Sequence, residues 1–366
     1  MKNLSLFSSF CCSINQVTLK FLINYKKEVV IMRKDIYELE YNSKLDLIET
    51  QKAIKFVKDT FQKYLVKELN LLRVSAPLFV EQNSGLNDSL NGVERPIDFS
   101  MINREEKLEI VHSLAKWKRM ALGKYHFEKG TGLYTDMNAI RRDENLDFYH
   151  SLYVDQWDWE RVMTNEERKY SYLKRIVKKV YKAIYLLQKE VTKKYPQLNN
   201  DLPKEISFIS TKELEKRYPD LSRKEREDQI CREEKAVFIY QIGWPLKDKM
   251  PHDGRAPDYD DWLLNGDILL YYPLYDMGLE LSSMGIRVNK ESLVKQLKYK
   301  NEEEKLNNDF CKSILNDTIP LSIGGGIGQS RLCMYMLQKA HIGEVQASFW
   351  PKEEIEKLSD HHIFLL

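Results

Sequence analysis

The sequence predicts an α+β protein with a mixed, largely antiparallel sheet flanked by helices. The predicted strands lie between helices without strict β-α alternation, which argues against a parallel α/β sheet. Two pairs of predicted strands are joined by turns: residues 134–142 with 151–159, and residues 267–272 with 279–288. With 366 residues, 43% of them hydrophobic, the chain is long enough to bury a large core.

The first predicted helix covers residues 50–69, because apolar side chains recur there at helical spacing and lysines occupy the opposite face. Residues 71–80 follow with a strand pattern that Pro77 interrupts. Since proline cannot donate to a strand ladder, we expect this strand at a sheet edge or paired across a subunit boundary. Residues 1–31 differ from the rest, and we expect a disordered extension there, with a weak signal or transit peptide as alternatives. A single catalytic domain is predicted over residues 32–366.

Capping residues and periodicity predict the other elements. Thr164 and Glu167 form a capping box that starts a long amphipathic helix, which ends before Pro196. Further elements are predicted at residues 108–114 (strand), 115–122 (cation-rich helical turn), 204–243 (strand, helix, helix, strand) and 290–315 (one helix).

The charge balance and the cysteines exclude several classes of protein. The chain has 57 Lys and Arg against 55 Asp and Glu, so its net charge of +2 does not mark a nucleic-acid or membrane binder. No segment approaches the ~18 consecutive apolar residues of a membrane span. The five cysteines show neither a C-x-x-C pair nor metal-binding spacing, and are interpreted as reduced thiols. We therefore expect a soluble, cytoplasmic protein.

The segment IGGGIGQSRL (323–332) is the strongest local signal of a site. Its four glycines permit positive φ angles and bring bare backbone close to a ligand, and Arg331 follows as a cation that can pair with a phosphate. The spacing matches neither the dinucleotide fingerprint after a strand nor a P-loop, because no lysine follows. The segment indicates either a nucleotide site of another kind or a tight turn before a core helix.

Polar side chains also recur at predicted strand ends and in loops, where binding sites are common. Arg141 ends a strand, and either clamps a phosphate or belongs to a surface charge cluster. If Trp157 and Trp159 face the core, Gln156 and the carboxylates of the same stretch, Asp155, Asp158 and Glu160, line the opposite face of the sheet. Charge is also concentrated in HSLAKWKR (112–119) and HDGRAPDYDDW (252–262).

Carboxylates on the second hairpin indicate a metal site. Glu280 and Ser282 share a face by the period of two, and Asp267 on the partner strand can approach them. Two carboxylates on one face repel unless a cation lies between them, and Mg²⁺ bound with nucleotide phosphates needs few protein oxygens. An exposed hairpin with ordinary polar alternation is the alternative. Lys118 either holds a substrate carboxylate as a point charge or is a solvated helix cation.

Eight runs in one order resemble the ammonia-dependent asparagine synthetases, the aspartate–ammonia ligase family. They are DSLNG (88–92), VHSLAKWKR (111–119), GLYTDMNAIRRDE (132–144), YVDQWDWERVM (153–163), RAPDYDDW (255–262), LNGDI (264–268), ELSSMGIRV (280–288) and IGGGIGQSRL (323–332). This family is similar to the catalytic core of class II aminoacyl-tRNA synthetases, which implies an antiparallel sheet flanked by helices, and a homodimer. Residues 50–69 with Pro77 resemble motif 1, Arg141 lies where motif 2 has its α-phosphate arginine, and residues 326–331 resemble motif 3.

The resemblance implies that ATP adenylates the β-carboxylate of L-aspartate, and that ammonia then displaces AMP to give L-asparagine. Under this hypothesis Arg141 and Arg331 bind the α- and γ-phosphates, while Asp267 and Glu280 hold Mg²⁺. Adenine lies against Gly326 and Gly328, and Arg255 also contacts ATP. Lys118 and Arg287 bind the α-carboxylate of aspartate, Gln156 orients the reacting group, and Ser113 and Ser283 add hydrogen bonds. Ammonium is captured, and its proton taken, by Asp88, Asp158 or Asp260. The last three remain alternatives.

Two other functions use parts of the same pattern. An aspartyl- or asparaginyl-tRNA synthetase shares the adenylate chemistry, but we expect it to carry an anticodon-binding domain and a basic stripe for tRNA. An adenylate sensor without catalysis would not need both phosphate arginines and metal carboxylates. A glutamine-dependent synthetase would need a nucleophilic cysteine, which neither Cys11 nor Cys12 supplies.

Overall fold

A computed structural model describes residues 34–88, 90, 94–199 and 201–366, and Lys34–Leu366 makes up one compact unit. The predicted extension, residues 1–31, lies outside the described residues. The strands are β1 (Leu71–Arg73), β2 (Phe79–Glu81), β3 (Asp98–Ser100), β4 (Lys107–Ile110), β5 (Gly132–Ile140), β6 (Tyr153–Val162), β7 (Ser207–Ser210), β8 (Ala236–Tyr240), β9 (Asp260–Tyr272), β10 (Met277–Arg287) and β11 (Ser322–Gly328). The α-helices are α1 (Leu47–Leu69), α2 (Ala115–Lys124), α3 (Tyr170–Lys194), α4 (Thr211–Arg217), α5 (Arg223–Glu234), α6 (Lys290–Lys300), α7 (Asp309–Leu315), α8 (Gln329–Met336) and α9 (Lys352–Asp360).

Eight of the strands form one sheet in the order β1-β5-β6-β11-β10-β9-β8-β7. The two outermost pairings, β1 with β5 and β7 with β8, are parallel. The five pairings between them are antiparallel. The predicted α+β class, with a mixed, largely antiparallel sheet flanked by helices, is therefore confirmed. Strands β2, β4 and β3 form a separate antiparallel sheet.

One face of the large sheet carries the main hydrophobic core. Trp157 and Trp159 of β6 point into it and are fully buried, as alternation along the strand predicts. Helices α1 and α3 lay apolar stripes over the same face, and the ring of Phe61 in α1 lies 4.7 Å from that of Trp157. Alternation then leaves Gln156 and Asp158 on the opposite face, which is the face that holds the cavity.

The helix boundaries confirm some capping predictions and correct others. Helix α1 begins three residues before the prediction, because the Asp46 carboxylate accepts the Glu49 backbone N–H at 2.7 Å. The capping box of Thr164 and Glu167 exists, but it heads the 3-10 turn Asn165–Glu167, and α3 starts only at Tyr170. None of the helices α1–α9 in the described ranges combines the length and the apolar composition that a membrane crossing requires.

Two predicted elements are wrong because the chain breaks inside them. Residues 71–80 form two strands in different sheets, β1 at an edge of the large sheet and β2 in the small one, with Pro77 in the break. Residues 290–315 are not one helix: Asn301, at φ 57°, ends α6 in the left-handed conformation. After a 3-10 turn, the side chain of Asn308 accepts the Cys311 N–H at 2.8 Å and starts α7.

Candidate active site

A cavity of about 420 Å³ opens on the face of the sheet opposite the tryptophans. Residues of β6, β10 and β11 line it, together with loops that precede β6 and β9. Thirteen of the fifteen predicted site residues line this cavity: Asp88, Ser113, Lys118, Arg141, Gln156, Asp158, Arg255, Asp260, Glu280, Ser283, Arg287, Gly326 and Arg331. The cavity thus brings together residues as far apart in the chain as Asp88 and Gln346.

The glycine-rich segment forms the middle of the cavity floor as strand β11, and not the tight turn that was the alternative interpretation. Strand β11 pairs with β6 on one side and β10 on the other. A Cβ at Gly326 would lie 2.7 Å from the Asp158 carboxylate and would overlap Gln156, and a Cβ at Gly324 would overlap Glu160. Glycine is needed here because neighbouring side chains cross the strand, rather than for positive φ. Gly328, predicted at adenine, is not among the lining residues.

Five buried charges form a network at one end of the cavity, which we call the charged end: Lys118, Asp158, Glu160, Asp260 and Arg287. The Lys118 ammonium donates to the Gly325 carbonyl at 2.9 Å and lies 3.3 Å from Asp158. Arg287 donates through Nε and Nη2 to Glu160 at 2.7 to 3.1 Å, and through Nη1 to Asp260 at 2.5 Å. Two cations are therefore held among three carboxylates with almost no exposure to water.

Burial is the main influence on the titration of this network. It lowers the pKa of Lys118, although the adjacent Asp158 opposes the change. It raises the pKa of Asp260, and the single hydrogen bond from Arg287 offsets this only in part. Burial acts in the same direction on Glu160, but Arg287 makes three hydrogen bonds with that carboxylate and brings its pKa below the usual value. Of the two carboxylates bound by Arg287, Asp260 therefore holds a proton more readily than Glu160.

Asp88 and Ser113 lie on the wall beside the charged end. The Ser113 hydroxyl donates to Asp88 at 2.8 Å, and the backbone N–H of Leu90 donates to the other carboxylate oxygen at 2.9 Å. His112 contacts the Asp88 backbone carbonyl through Nδ1 at 3.0 Å. These contacts hold the Asp88 carboxylate in one orientation while it remains part of the cavity lining.

The other end of the cavity is more apolar, and we call it the apolar end; its residues are Tyr149, Val154, Leu281, Ile342 and the aliphatic part of Arg331. The Arg331 guanidinium lies 5.2 Å from the centroid of the Tyr149 ring and donates to the Glu280 carbonyl at 3.1 Å. Ile342 lies beside Tyr149 because its N–H donates to the carbonyl of the preceding residue, Phe148, at 2.8 Å. A flat aromatic group with an adjacent negative charge suits this end.

Arg141 lies in the cavity wall with little compensation of its charge. Its closest described carboxylate is Glu144, at 3.9 Å, and its buried Nε has no hydrogen-bond partner among the described residues. The neighbouring Asp143 is instead bound by Arg95 at 2.5 Å. Arg141 is therefore available to an anionic ligand.

The predicted metal carboxylates lie together, but not as the simple period of two suggests. A β-bulge at Leu281 places Glu280 opposite Leu269, while Ser283 pairs with Asp267. Glu280, Ser283 and Asp267 therefore share a face, and the prediction that Ser282 lies on that face is wrong.

Asp267 lies just behind the cavity lining, ion-paired with Arg255. Its Oδ1 is buried without a partner among the described residues. Burial raises the pKa of Asp267, and nearby Glu280 raises it further. Two close carboxylates with an unsatisfied oxygen fit a divalent cation whose other ligands come from phosphates and water. No group of three or more His, Cys, Asp or Glu in the described ranges could hold a metal alone.

No site role was predicted for Glu160, although it holds Arg287 and accepts the Ser322 hydroxyl at 2.6 Å. Alternation along β6 places Glu160 on the same face as Gln156 and Asp158, as expected. Asp155 was expected there too, but the same alternation puts it on the face of Trp157, where it pairs with Lys58 of α1 at 3.0 Å. Lining residues for which no role was predicted include Glu94, Tyr149, His150, Tyr259, Ser330 and Gln346.

The fold is that of the class II aminoacyl-tRNA synthetases. The chain superposes on the asparaginyl-tRNA synthetase of Entamoeba histolytica in complex with asparaginyl-adenylate with a TM-score of 0.58 at 14% identity, over 82% of this chain and 66% of that one. The asparaginyl-tRNA synthetase of Pyrococcus horikoshii, complexed with asparaginyl-adenylate, gives 0.56 at 15% identity, over 83% and 70%. At this identity the likeness concerns the fold alone.

The sequence comparisons identify the family within that fold. The aspartate-ammonia ligase family model matches residues 48–362. The aspartate–ammonia ligase of Clostridium tetani is 57% identical over 330 residues, covering 90% of this chain and 97% of that protein. The enzyme of the same name from Fusobacterium nucleatum is 55% identical over 328 residues, covering 90% and 100%. The chain belongs to the aspartate–ammonia ligase family, as the eight sequence runs indicated.

Proposed function

We propose that this protein makes L-asparagine from L-aspartate, ammonia and ATP through a β-aspartyl-adenylate, releasing pyrophosphate and then AMP. The observation that carries the proposal is the cavity with two unlike ends. The charged end suits a small dicarboxylic amino acid, and the apolar end with Arg331 suits a nucleotide. A carboxylate oxygen is a poor leaving group until it is joined to AMP as an adenylate. Aspartate and ATP therefore have to meet between these two ends.

At the charged end, Lys118 and Arg287 bind the α-carboxylate of aspartate. The Lys118 ammonium has three donors, and two of them serve Gly325 and Asp158. The Arg287 guanidinium has five N–H groups, and its bonds to Glu160 and Asp260 leave one each on Nη1 and Nη2. These two free N–H groups can bind the two oxygens of one carboxylate. The β-carboxylate then points toward the nucleotide, where Gln156 orients it and Ser113 and Ser283 add hydrogen bonds.

Toward the apolar end, Arg141 and Arg331 bind the α- and γ-phosphates, and the base lies beside Tyr149 and Ile342 rather than against Gly326, where it was expected. Charge develops on the phosphoryl oxygens during adenylation, and cations already positioned in the cavity stabilise it with little reorganisation. Arg255 adds a third cation on the same side. Asp267 and Glu280 would hold Mg²⁺, which supplies charge neutralisation for the polyphosphate when bound. Arg255 then exchanges part of its contact with Asp267 for phosphate oxygens.

Ammonium is attracted by the acidic balance of the cavity. Among the described lining residues nine are carboxylates and five are Lys or Arg. All three predicted acceptors line the cavity, and we assign proton removal to Asp260, because burial raises its pKa and an ammonium proton is more readily accepted by a carboxylate of raised pKa. Asp88 and Asp158 stabilise the cation during its approach.

We also propose that two copies of the chain form a dimer through the surface around β1 and the small sheet. Exposed apolar side chains cluster there: Leu72, Leu78, Phe79, Phe99, Met101 and Ile102. Ile102 is 90% exposed, and the rings of Phe79 and Phe99 contact each other at 5.2 Å. Such a patch favours a protein interface. Multi-angle light scattering should give twice the chain mass, and Phe79→Lys combined with Ile102→Lys should give the monomer mass.

One assay tests the activity. The protein is incubated with L-aspartate, ATP, Mg²⁺ and ammonium chloride, and asparagine and AMP are quantified. Equal amounts of both are expected without tRNA, and glutamine in place of ammonium should give none above background. Release of AMP that requires tRNA would contradict the proposal and support a tRNA synthetase.

A second assay separates the two chemical steps. Asp260→Asn should retain exchange of labelled pyrophosphate into ATP in the presence of aspartate, because adenylation does not need the base. Asparagine formation should fall roughly 10²-fold, within the range for loss of a general base. Asp88→Asn and Asp158→Asn are the matched variants, and a larger loss of amination in either would move the role to that residue.

A further inference from the structure

A buried polar oxygen at the apolar end of the cavity has no partner among the described residues. It is Oε1 of Gln346, a side chain that is 5% exposed and belongs to the cavity lining. A buried acceptor without a hydrogen bond is unfavourable, so such an atom in a binding cavity indicates a ligand donor. Nothing in the sequence had pointed to this residue.

The orientation of the Gln346 amide follows from its neighbours. Its Nε2 donates to Asp155 Oδ1 at 3.2 Å and to Ser330 Oγ at 3.0 Å, which uses both amide hydrogens. Asp155 is ion-paired with Lys58 at 3.0 Å and also accepts the Ser330 N–H at 3.1 Å. A paired carboxylate can only accept, so exchanging the amide nitrogen and oxygen would set two acceptors against each other. The oxygen is therefore the end left for a ligand.

The surroundings of Gln346 belong to the apolar end. Ser330 directly precedes Arg331, and Gln346 lines the same cavity as Tyr149, Arg331 and Ile342. One of the two groups that hold the amide is thus next to the arginine that suits a flat ring. A donor on the edge of that ring would meet Oε1.

We propose that Gln346 determines the base specificity of the nucleotide site by accepting a hydrogen bond from the exocyclic amine of adenine. This inference rests on the proposed use of ATP and names the residue that selects it. A 6-oxo purine presents an acceptor at the same position, so it would face the Gln346 oxygen with two lone pairs opposed. One buried hydrogen bond of this kind distinguishes adenine from a 6-oxo purine and takes no part in the reaction chemistry.

The test compares binding of ATP and inosine triphosphate by calorimetry in the absence of aspartate. The wild-type protein should bind ATP at least roughly tenfold more tightly than inosine triphosphate, in the range for one neutral hydrogen bond. Gln346→Met has a similar length without the acceptor, and should lose roughly that factor for ATP alone. Gln346→Leu removes the acceptor with a second apolar side chain and should lose the same factor for ATP alone, whereas a purely structural role would weaken both nucleotides equally.

Three results would overturn the inference: no preference for ATP in the wild-type protein, unchanged ATP affinity in Gln346→Met, or equal losses for both nucleotides in that variant. If Gln346→Met does not fold, the wild-type ratio and the Gln346→Leu ratio still decide. Because the measurement is of binding, it is independent of asparagine formation. Tight, selective ATP binding without asparagine formation would reject the proposed function and leave the assignment of Gln346 intact.

Discussion

The two faces of strand β6 carry opposite kinds of side chain. One face buries Trp157 and Trp159 in the hydrophobic core. The other face presents Gln156 and Asp158 to the cavity and buries Glu160 against Arg287 behind it. Trp157, Trp159 and Glu160 are all fully buried. The core face gains stability from burial, whereas the cavity face carries charges whose desolvation is unfavourable unless partners compensate it. Substitutions on the two faces should therefore affect different measurements.

The largest effect is expected from Arg287→Met on the cavity face. The change leaves Glu160 and Asp260 buried without their shared cation, which is expected to cost about 3–5 kcal/mol of unfolding free energy. It also removes the proposed α-carboxylate contact, so aspartate-dependent activity should be lost. Chemical denaturation and the asparagine assay measure the two effects. A variant as stable and active as the wild-type protein would show that the network is not a coupled unit.

Phe61→Ala is the matched change on the core face. Phe61 is fully buried against Trp157, and its truncation should cost about 3–5 kcal/mol of unfolding free energy. Under conditions where the variant is folded, its activity per folded molecule should stay close to that of the wild-type protein. A large selective loss of kcat, with normal stability, would contradict the separation of the two faces.

Arg141→Ala should act on chemistry alone. Because Arg141 has no close ion pair in the described structure, its removal leaves no buried carboxylate unpaired, and the melting temperature should change little. The rate of aspartate-dependent pyrophosphate exchange should fall by at least ~10²-fold, the range for one preorganised charge contact. Arg95→Ala removes a neighbouring exposed arginine and serves as the control. A near-wild-type exchange rate in Arg141→Ala would reject the phosphate role.

His341 lies away from both faces and should give the smallest effect, which is one of pH. The ring is fully buried, its Nδ1 accepts the Gly343 N–H at 3.0 Å, and burial lowers its pKa from 6.5 to about 4. The unfolded chain therefore binds more protons than the folded one between these values, and the unfolding free energy falls as the pH falls through that window. From pH 6.5 to 5 the loss should be about 1.5 kcal/mol.

His341→Asn provides the control for this pH effect. The asparagine side chain can accept the same backbone N–H but does not titrate, so the variant should lose less stability over the same pH range. Denaturant unfolding at pH 6.5 and pH 5 measures the difference between the two proteins. Identical pH dependence would show that other groups determine the slope.

Much of the site could be predicted from local pattern, and the failures have physical causes. Alternation of tryptophans with polar residues assigned both faces of β6 correctly, because the period of a strand is local. The same rule failed on β10, since the bulge at Leu281 moves Ser283, and not Ser282, beside Asp267 and Glu280. Bulges depend on the register of the partner strand, which a single strand does not reveal.

The sequence alone determined the family, the class of fold and most of the residues that line the cavity, because these depend on short runs and on local periodicity. Tertiary structure determined which charged groups form ion pairs and which are left without a close partner. It paired Arg255 with Asp267, placed Glu160 against Arg287, and left Arg141 and the Gln346 oxygen without close partners. Those outcomes depend on burial and on contacts between segments far apart in the chain, and both exist only after the sheet has assembled.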